Sequence, residues 1–585
     1  MKKTMHFLLV AVALVFGMTS CDEFKSTMDN PVSSYLELKT TSAFIVPGGT
    51  CQIEASSISP AKITYESSNP DVAIVDPSGK VTALEDGEAT ITVRIEANDN
   101  YQAGATQFQV KVQSPLTLEA KADGKINVYY NNSITLDEPI VYTVFTKEGL
   151  KKTESITATT AIEVDKGDKV QFMSKNDHMG VYDQVNGTYR YIQIRPNMEC
   201  AVYGNVMSLI TPKGDFNTNK TIKEPYAFYR LFYYNILSST WVAEAKKYIY
   251  KYAIVNHDKY KLVLPATTLS DRCYYNMFGY TGLTEAPELP ATSLANGCYT
   301  SLFNNCKHLT VAPKLPATNL APWCYQNMFA NSGITEAPEL KAEDLSNSNG
   351  CYSSMFSGCA ELTKAPKLPA KKLSSQCYQS MFASSGLTEA PELPATTLAN
   401  DCYAYLFNNC KNLTVAPELP ATNLAPWCYE GMFAYSGITE APELKVEDLS
   451  NGYGCYYNMF AGCTELTKAP ELPATKLSGY CYAYMFQNCK LEVAPVLPAA
   501  ELVSQCYYYM FSNCYKLKSL TCLATSITDN SATENWLTGA GADVAPAVEC
   551  TFTKAASATW NKTAGMWEGT NGWNVTSRWT IKDAE

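Results

Sequence analysis

The dipeptide Cys-Tyr recurs at Cys273, Cys298, Cys324, Cys351, Cys377, Cys402, Cys428, Cys455, Cys481 and Cys506, in steps of 25, 26, 27, 26, 25, 26, 27, 26 and 25 residues. A fixed period in this range means stacked coils, each able to bury its apolar face only against its neighbours. The steps repeat after four: Cys273 to Cys377 and Cys298 to Cys402 are both 104 residues, and Trp323 and Trp427 keep that offset. The stretch ATNLAPWCY starts at Ala317 and again at Ala421, so a four-coil block has been duplicated. Upstream, Ala227-Phe228-Tyr229-Arg230-Leu231-Phe232 follows the pattern C-Y-x-x-M-F with Ala for Cys and Phe for Tyr, which makes eleven coils. At one strand spacing of about 4.8 Å per coil the array is roughly 50 Å long.

Within a coil, Leu269, Cys273 and Met277 lie four apart with Phe278 beside the last, a spacing that predicts one face of a short helix ending near Gly279. The pair after the tyrosine varies (Tyr275-Asn276, Gln326-Asn327, Ala404-Tyr405, Glu430-Gly431), as solvent-facing positions do. Leu283, Ala286 and Leu289 then form the inward side of an extended stretch that would pair with the next coil.

The string MFSGCAELTKAPKLPAKKLSSQCY, Met355 to Tyr378, resembles a leucine-rich repeat of the BspA-like type, with F-x-x-C-x-x-L, a short strand, then L-P. It departs from that family in its longer period and in proline inside the strand at Pro287, Pro313 and Pro338. Proline removes a ladder donor, so short pairings are expected in place of a continuous sheet. The resemblance implies an α/β solenoid and a bacterial surface protein that adheres to host or bacterial partners, whether surface proteins or glycans.

The segments before the repeat read as β-structure. Ala89-Thr90-Ile91-Thr92-Val93 alternates apolar and polar residues, and Pro77-Ser78-Gly79 and Asp86-Gly87 are turn signals. Tyr65 to Val93 resembles a bacterial immunoglobulin-like group 2 domain, which implies a spacer or contact module without catalytic residues. Strand-like runs at Ile126–Tyr130, Ile140–Phe145, Val170–Met173 and Tyr189–Ile194 predict a second β domain. After Thr521 the period fails, and Trp536, Trp560, Trp567, Trp573 and Trp579 crowd a tail that reads as a cap on the last coil. Carbohydrate-stacking tryptophans are the alternative reading of that tail.

At the other end, Lys2 and Lys3 precede the apolar stretch Phe7 to Phe16 and then Gly17-Met18-Thr19-Ser20-Cys21, the order of a secretory leader. The cysteine after small residues resembles a lipoprotein lipobox, which implies acylation of Cys21. Asp22 and Glu23 resemble the surface-export signal of Bacteroidota lipoproteins, which implies an outer-membrane anchor with the chain exposed at the cell surface; the alternative is that Asp22 resembles the inner-membrane retention signal of enteric bacteria. The expected organisation is therefore a signal peptide (1–20), a lipidated tether (21–34), the immunoglobulin-like β-sandwich (35–113), the second β domain (114–222), the repeat solenoid (223–520) and the cap (521–585).

Chemistry is sparse. A net charge of −11 makes nucleic acid a poor partner, and four histidines leave little imidazole for catalysis. No phosphate loop, zinc-protease helix or nucleophile elbow is present, and the cysteines, one or two per coil, make no metal cluster. No cofactor is implied. The pairs Glu285 with Glu288, Glu336 with Glu339, Glu389 with Glu392, and Glu440 with Glu443 recur in alternate coils. A glycosidase needs one such pair in a cleft, and four copies argue for a surface strip, either partner-facing or a charge ladder with Lys314, Lys364, Lys367 and Lys468. The coil cysteines read as buried free thiols, because helices packed about 8–10 Å apart hold Cα atoms beyond bridging range. Cys522 with Cys550 is the one candidate disulfide. The expectation is a non-enzymatic protein that binds macromolecules, adhesion first and glycan capture as the alternative.

Overall fold

The computed structural model describes residues 31–212, 215–244, 246–527, 530–558 and 579–584. The leader, Cys21 and most of the tether lie outside the described residues, as do Trp560, Trp567 and Trp573. The chain divides into two compact units, residues 1–114 and 115–585.

Alternation builds the first unit. In Gly87–Ile95 the side chains of Ala89, Ile91, Val93 and Ile95 are buried, whereas Glu88 and Arg94 are exposed and Thr90 and Thr92 only half-buried. This strand pairs antiparallel with Gly104–Val112 on one side and Ile63–Ser67 on the other, and Ser42–Ile45 adds in parallel to Gly104–Val112. A second sheet of Thr50–Gln52, Lys80–Ala83 and Ala73–Val75 supplies Ala73, Val81 and Ala83 to the same core. The turn before Lys80–Ala83 forms where the sequence places it: Gly79 holds φ +83°, and the Asp76 carboxylate accepts from the Ser78 and Lys80 amides. The expected immunoglobulin-like β-sandwich is what this segment forms.

In the second unit, residues 115–222 make two antiparallel sheets. One runs Gly149–Ile156, Ile140–Thr146, Lys169–Met173, Leu116–Ala120 and Cys200–Asn205; the other runs Thr160–Val164, Gly124–Asn131, Thr188–Pro196 and Gly180–Asp183. These strands are continuous with the repeat region. Cys200–Asn205 pairs in parallel with Ile254–Asn256 and Leu262–Val263, and the amides of Met179 and Ile194 donate to the Ala227 and Leu231 carbonyls of the first coil. One apolar core therefore runs from Leu116 to Trp579.

The expected helices are absent. Among the described residues the only helical segments are two short 3-10 turns, Val206–Leu209 and Asn530–Thr533. From Arg272 to Tyr280 the backbone amides alternate in destination. Those of Cys273, Tyr275 and Met277 donate three residues back, to Ser270, Arg272 and Tyr274, whereas those of Arg272, Tyr274, Asn276, Phe278 and Tyr280 donate to Asn296, Cys298, Thr300, Leu302 and Asn304 of the next coil. An α-helix would keep every interior amide inside its own coil. Here half of them bind coil to coil, and every fourth residue takes a left-handed φ: Arg272, Asn276 and Tyr280, then Gly297, Ser301 and Asn305. A period of four is close enough to 3.6 that the face inferred from the spacing is correct although the helix is not. Cys273, Tyr274, Met277 and Phe278 are all buried and Leu269 half-buried, but the varying pair after the tyrosine does not everywhere face solvent: Asn276 and Ala404 are buried, because neighbouring coils pack over the turn.

The consequence is two ladders of rings. Phe228, Tyr274, Tyr299, Tyr325, Tyr352, Tyr378, Tyr403, Tyr429, Tyr456, Tyr482, Tyr507 and Trp536 stack in sequence with centroids 5.4–6.2 Å apart and planes within 21°. A phenylalanine ladder from Phe232 to Phe511 runs beside it at 5.6–6.0 Å. Each stacked pair contributes about 0.5–1.5 kcal/mol beyond burial. On the opposite side, Leu283 and Leu289 are buried and Ala286 half-buried. The prolines limit pairing there to single parallel bridges such as Glu285 with Val311, and strands resume only at Val493–Leu497, Ser519–Cys522, Cys550–Lys554 and Trp579–Asp583.

Candidate ligand-binding face

On the extended side, Glu285, Glu288, Glu336, Glu339, Glu389, Glu392, Glu440 and Glu443 are all exposed. Single bridges align Glu285, Val311 and Glu336, then Lys364 with Glu389 and Val415 with Glu440. The acidic residues are therefore interleaved with Val311 and Val415, which are 57% and 59% exposed. Ion pairs here are few: Lys261 with Glu285 at 2.6 Å, Lys445 with Glu443 at 3.3 Å and Lys341 with Glu339 at 3.8 Å. Among the described residues Lys314, Lys364, Lys367 and Lys468 join no acidic partner, so the charge ladder does not form; one bridge per coil does not hold these long side chains in register. The matched pairs lie elsewhere. Lys372 with Asp344 and Lys476 with Asp448, both at 2.8 Å, are 104-residue copies, and their lysine and serine hydrogen bonds hold both aspartates well below the usual carboxylate range.

The coil cysteines are buried away from solvent. All ten Cys-Tyr thiols are fully buried and free. The helix-spacing argument against bridging them does not apply, since the coils are joined by direct backbone hydrogen bonds, yet the thiols are unbridged. Burial pushes Cys377 up to about 12. The second set, Cys306, Cys359, Cys410, Cys463, Cys489 and Cys514, donates to the carbonyls of Phe278, Phe329, Phe382, Phe433, Phe460 and Phe486 at 3.0–3.1 Å. In the earlier coils these thiols alternate with Thr281, Ser332, Ser385 and Ser436 at the same position, each hydroxyl 3.4–3.6 Å from the next sulfur. The expected pairing of Cys522 with Cys550 is not made: neither forms a disulfide. Their strands run parallel with Cys522 opposite Lys554, which puts the two cysteines at opposite ends of the ladder.

The turn side carries a surface that the spacing alone does not reveal. Its outward rings form a row: Trp427 lies 5.3 Å from Tyr453 and 5.5 Å from Tyr457, Tyr453 lies 5.6 Å from Tyr480, Tyr457 lies 5.3 Å from Tyr484, and Tyr484 lies 5.1 Å from Tyr509. Glycines in the adjoining coil seat the rings. Gly454 holds φ +60° and a Cβ there would meet the Trp427 ring at 2.4 Å; Gly431 stands to Tyr405 in the same way. At one end of the row the Tyr405 hydroxyl donates to Glu430 at 2.5 Å. Burial raises the Glu430 carboxyl, and the charge of Asp401 raises it further; Asp401 is itself raised by burial. The signal available in the sequence was the comparison of copies 104 residues apart, which places Asn349, Ser353, Gln376 and Ser380 where the row has Tyr453, Tyr457, Tyr480 and Tyr484.

Among the described residues no three His, Cys, Asp or Glu side chains are grouped to hold a metal, and no helix is long and apolar enough to cross a membrane. A cavity of about 290 Å³ in the second unit is lined largely by Pro139, Val141, Met173 and Phe216, with Glu138 its one carboxylate. No curated protein matches the chain. Residues 37–104 match the family of bacterial Ig-like domains (group 2), and the first unit carries a domain of that kind.

Proposed function

We propose that the chain is a non-catalytic, lipid-anchored surface lipoprotein that binds macromolecular partners through a BspA-like leucine-rich-repeat solenoid, with adhesion to host or bacterial surface molecules as its role. The observation that carries this reading is the division of labour inside each coil. Cys, Tyr, Met or Leu, and Phe repeat as a buried spine, while the turn residues after them change from coil to coil, some half-exposed (Gln326, Tyr405) and some buried (Ser353, Ala404). A stack of this kind offers a long surface whose chemistry varies without disturbing its core. The order of the leader residues through Cys21 supports the anchor, and Asp22 and Glu23 support exposure at the outer surface. Glycan capture is the second reading, favoured by the outward aromatic row. Two measurements test the proposal. Cys21→Ala should move the protein out of the membrane fraction, and continued membrane association would refute the anchor. Non-acylated protein, probed against immobilised extracellular-matrix proteins, bacterial surface proteins and glycans, should bind at least one class saturably; turnover of a glycan or peptide library would refute the non-catalytic role.

A further inference from the structure

We infer that the row from Trp427 to Tyr509 is the docking site for a neutral polysaccharide chain lying along the coils. This rests on the reading of the repeat's outward face as a binding surface, and names the ligand class.

Packing does not require four of the rings, whereas Trp427 and Tyr509 have Trp323 and Tyr405 as their counterparts. The two copies of the four-coil block keep the same buried Cys, Tyr and Phe positions, yet at matched positions Asn349, Ser353, Gln376, Ser380 and Gln326 stand against Tyr453, Tyr457, Tyr480, Tyr484 and Glu430; Ser353 is buried, whereas Tyr457 is half-exposed. Trp427, Tyr480, Tyr484 and Tyr509 hold φ of 58°, 57°, 58° and 52°, a left-handed conformation that costs a residue bearing Cβ about 1–2 kcal/mol. Trp323, Gln376, Ser380 and Tyr405 hold 59°, 60°, 53° and 57° at the matched positions, so this conformation belongs to the coil and not to the rings.

The shape and charge of the row select its occupant. It crosses four successive coils, roughly 15 Å at one strand spacing per coil, so its ligand is elongated. A quaternary ammonium group is held by rings enclosing one point, which a row does not do, and a lysine or arginine over one exposed ring gains only about 0.5–1 kcal/mol. From two residues before to three after the cysteine, none of these four coils carries Lys or Arg, and Glu430 and Asp401 stand at one end, so a polyanion is repelled. A peptide binding as an added strand needs an open backbone edge, but here the amides of Tyr429, Tyr456 and Tyr482 are already bonded to the next coil. The occupant that fits is a chain with C–H faces to lie on half-exposed rings, and hydroxyls to donate to Glu430 and the tyrosine oxygens, without charge of its own.

The test restores the earlier copy's residues. The variant Tyr453→Asn, Tyr457→Ser, Tyr480→Gln and Tyr484→Ser installs side chains that the same fold already carries 104 residues upstream, so it should still fold, as its melting transition would show. Non-acylated full chain would be titrated by affinity electrophoresis and calorimetry with soluble laminarin, mannan, xylan and starch, with heparin and poly-L-lysine as charged probes. The inference expects saturable binding of at least one neutral polysaccharide, weakened at least tenfold in the folded variant and unchanged by Ser353→Ala with Gln379→Ala in the earlier block. Binding of poly-L-lysine or heparin alone, absence of neutral-glycan binding, or a variant that binds as well as the parent overturns it. If the chain captures surface proteins but no neutral glycan, this inference falls while the broader binding reading stands.

Discussion

At the scale of single residues, the repeat holds an unusual density of titratable groups that burial has switched off. The thiols of Cys377 and Cys306 are pushed up to about 12 and about 11 by desolvation, so neither is a thiolate near neutral pH. Cys51 is the one half-buried thiol among the described residues. Alkylation of native protein near pH 8, read by peptide mass spectrometry, should therefore label Cys51 and leave the coil cysteines untouched until denaturant is added; labelling of Cys377 at the rate of Cys51 would show that the coils open. The ladder tyrosines make a second case. The hydroxyl of Tyr403 is buried without a hydrogen-bond partner, and a buried unsatisfied group carries a desolvation penalty of about 1–3 kcal/mol. Tyr403→Phe should leave urea stability unchanged or raise it by about 1 kcal/mol, whereas a loss of 2 kcal/mol or more would mean that this hydroxyl is bonded.

The coil is the element whose conformation was hardest to foresee. Its i, i+4 apolar spacing fits a helix and also fits a run of turns with a left-handed residue at every fourth position, because the two periods differ little over nine residues. The distinguishing signal was present in Asn276, Asn305, Asn327 and Asn458, side chains that tolerate the left-handed region and sit four residues from their neighbours in that conformation. No local pattern encodes that half of the amides are claimed by the next coil. The glycines report the same interlocking. Gly454→Ala would place a Cβ against the Trp427 ring at φ +60°, and should lower stability by about 1–3 kcal/mol in a melting experiment. Adding Trp427→Ala should recover the steric part and leave the backbone part; full additivity of the two losses would show that ring and glycine do not touch.

For the molecule as a whole, the two units have separate cores: one of twelve residues centred on Ala89, Ile91, Val93 and Phe108, the other continuous from Leu116 through the last described strand. A defect in the second core should therefore leave the first unit's transition in place. Met355 is fully buried midway along the stack, and an unpaired carboxylate there costs several kcal/mol. In differential scanning calorimetry Met355→Asp should abolish or sharply lower the larger transition while the immunoglobulin-like unit melts as before. An unchanged thermogram would contradict the inward placement of this residue. The spacing of apolar residues along the chain was enough to reveal the repeat and its register, the identity of the buried spine and the first β-sandwich, because each of these is a periodic property of the chain itself. Contacts across the folded chain settled the turn-by-turn backbone, the failure of Lys314, Lys364, Lys367 and Lys468 to pair with the acidic strip, the absence of a disulfide between Cys522 and Cys550, and the joining of the aromatic row. Those depend on which groups meet across coils 25 to 27 residues apart, where hydrogen bonds and rings from neighbouring coils compete with every local preference.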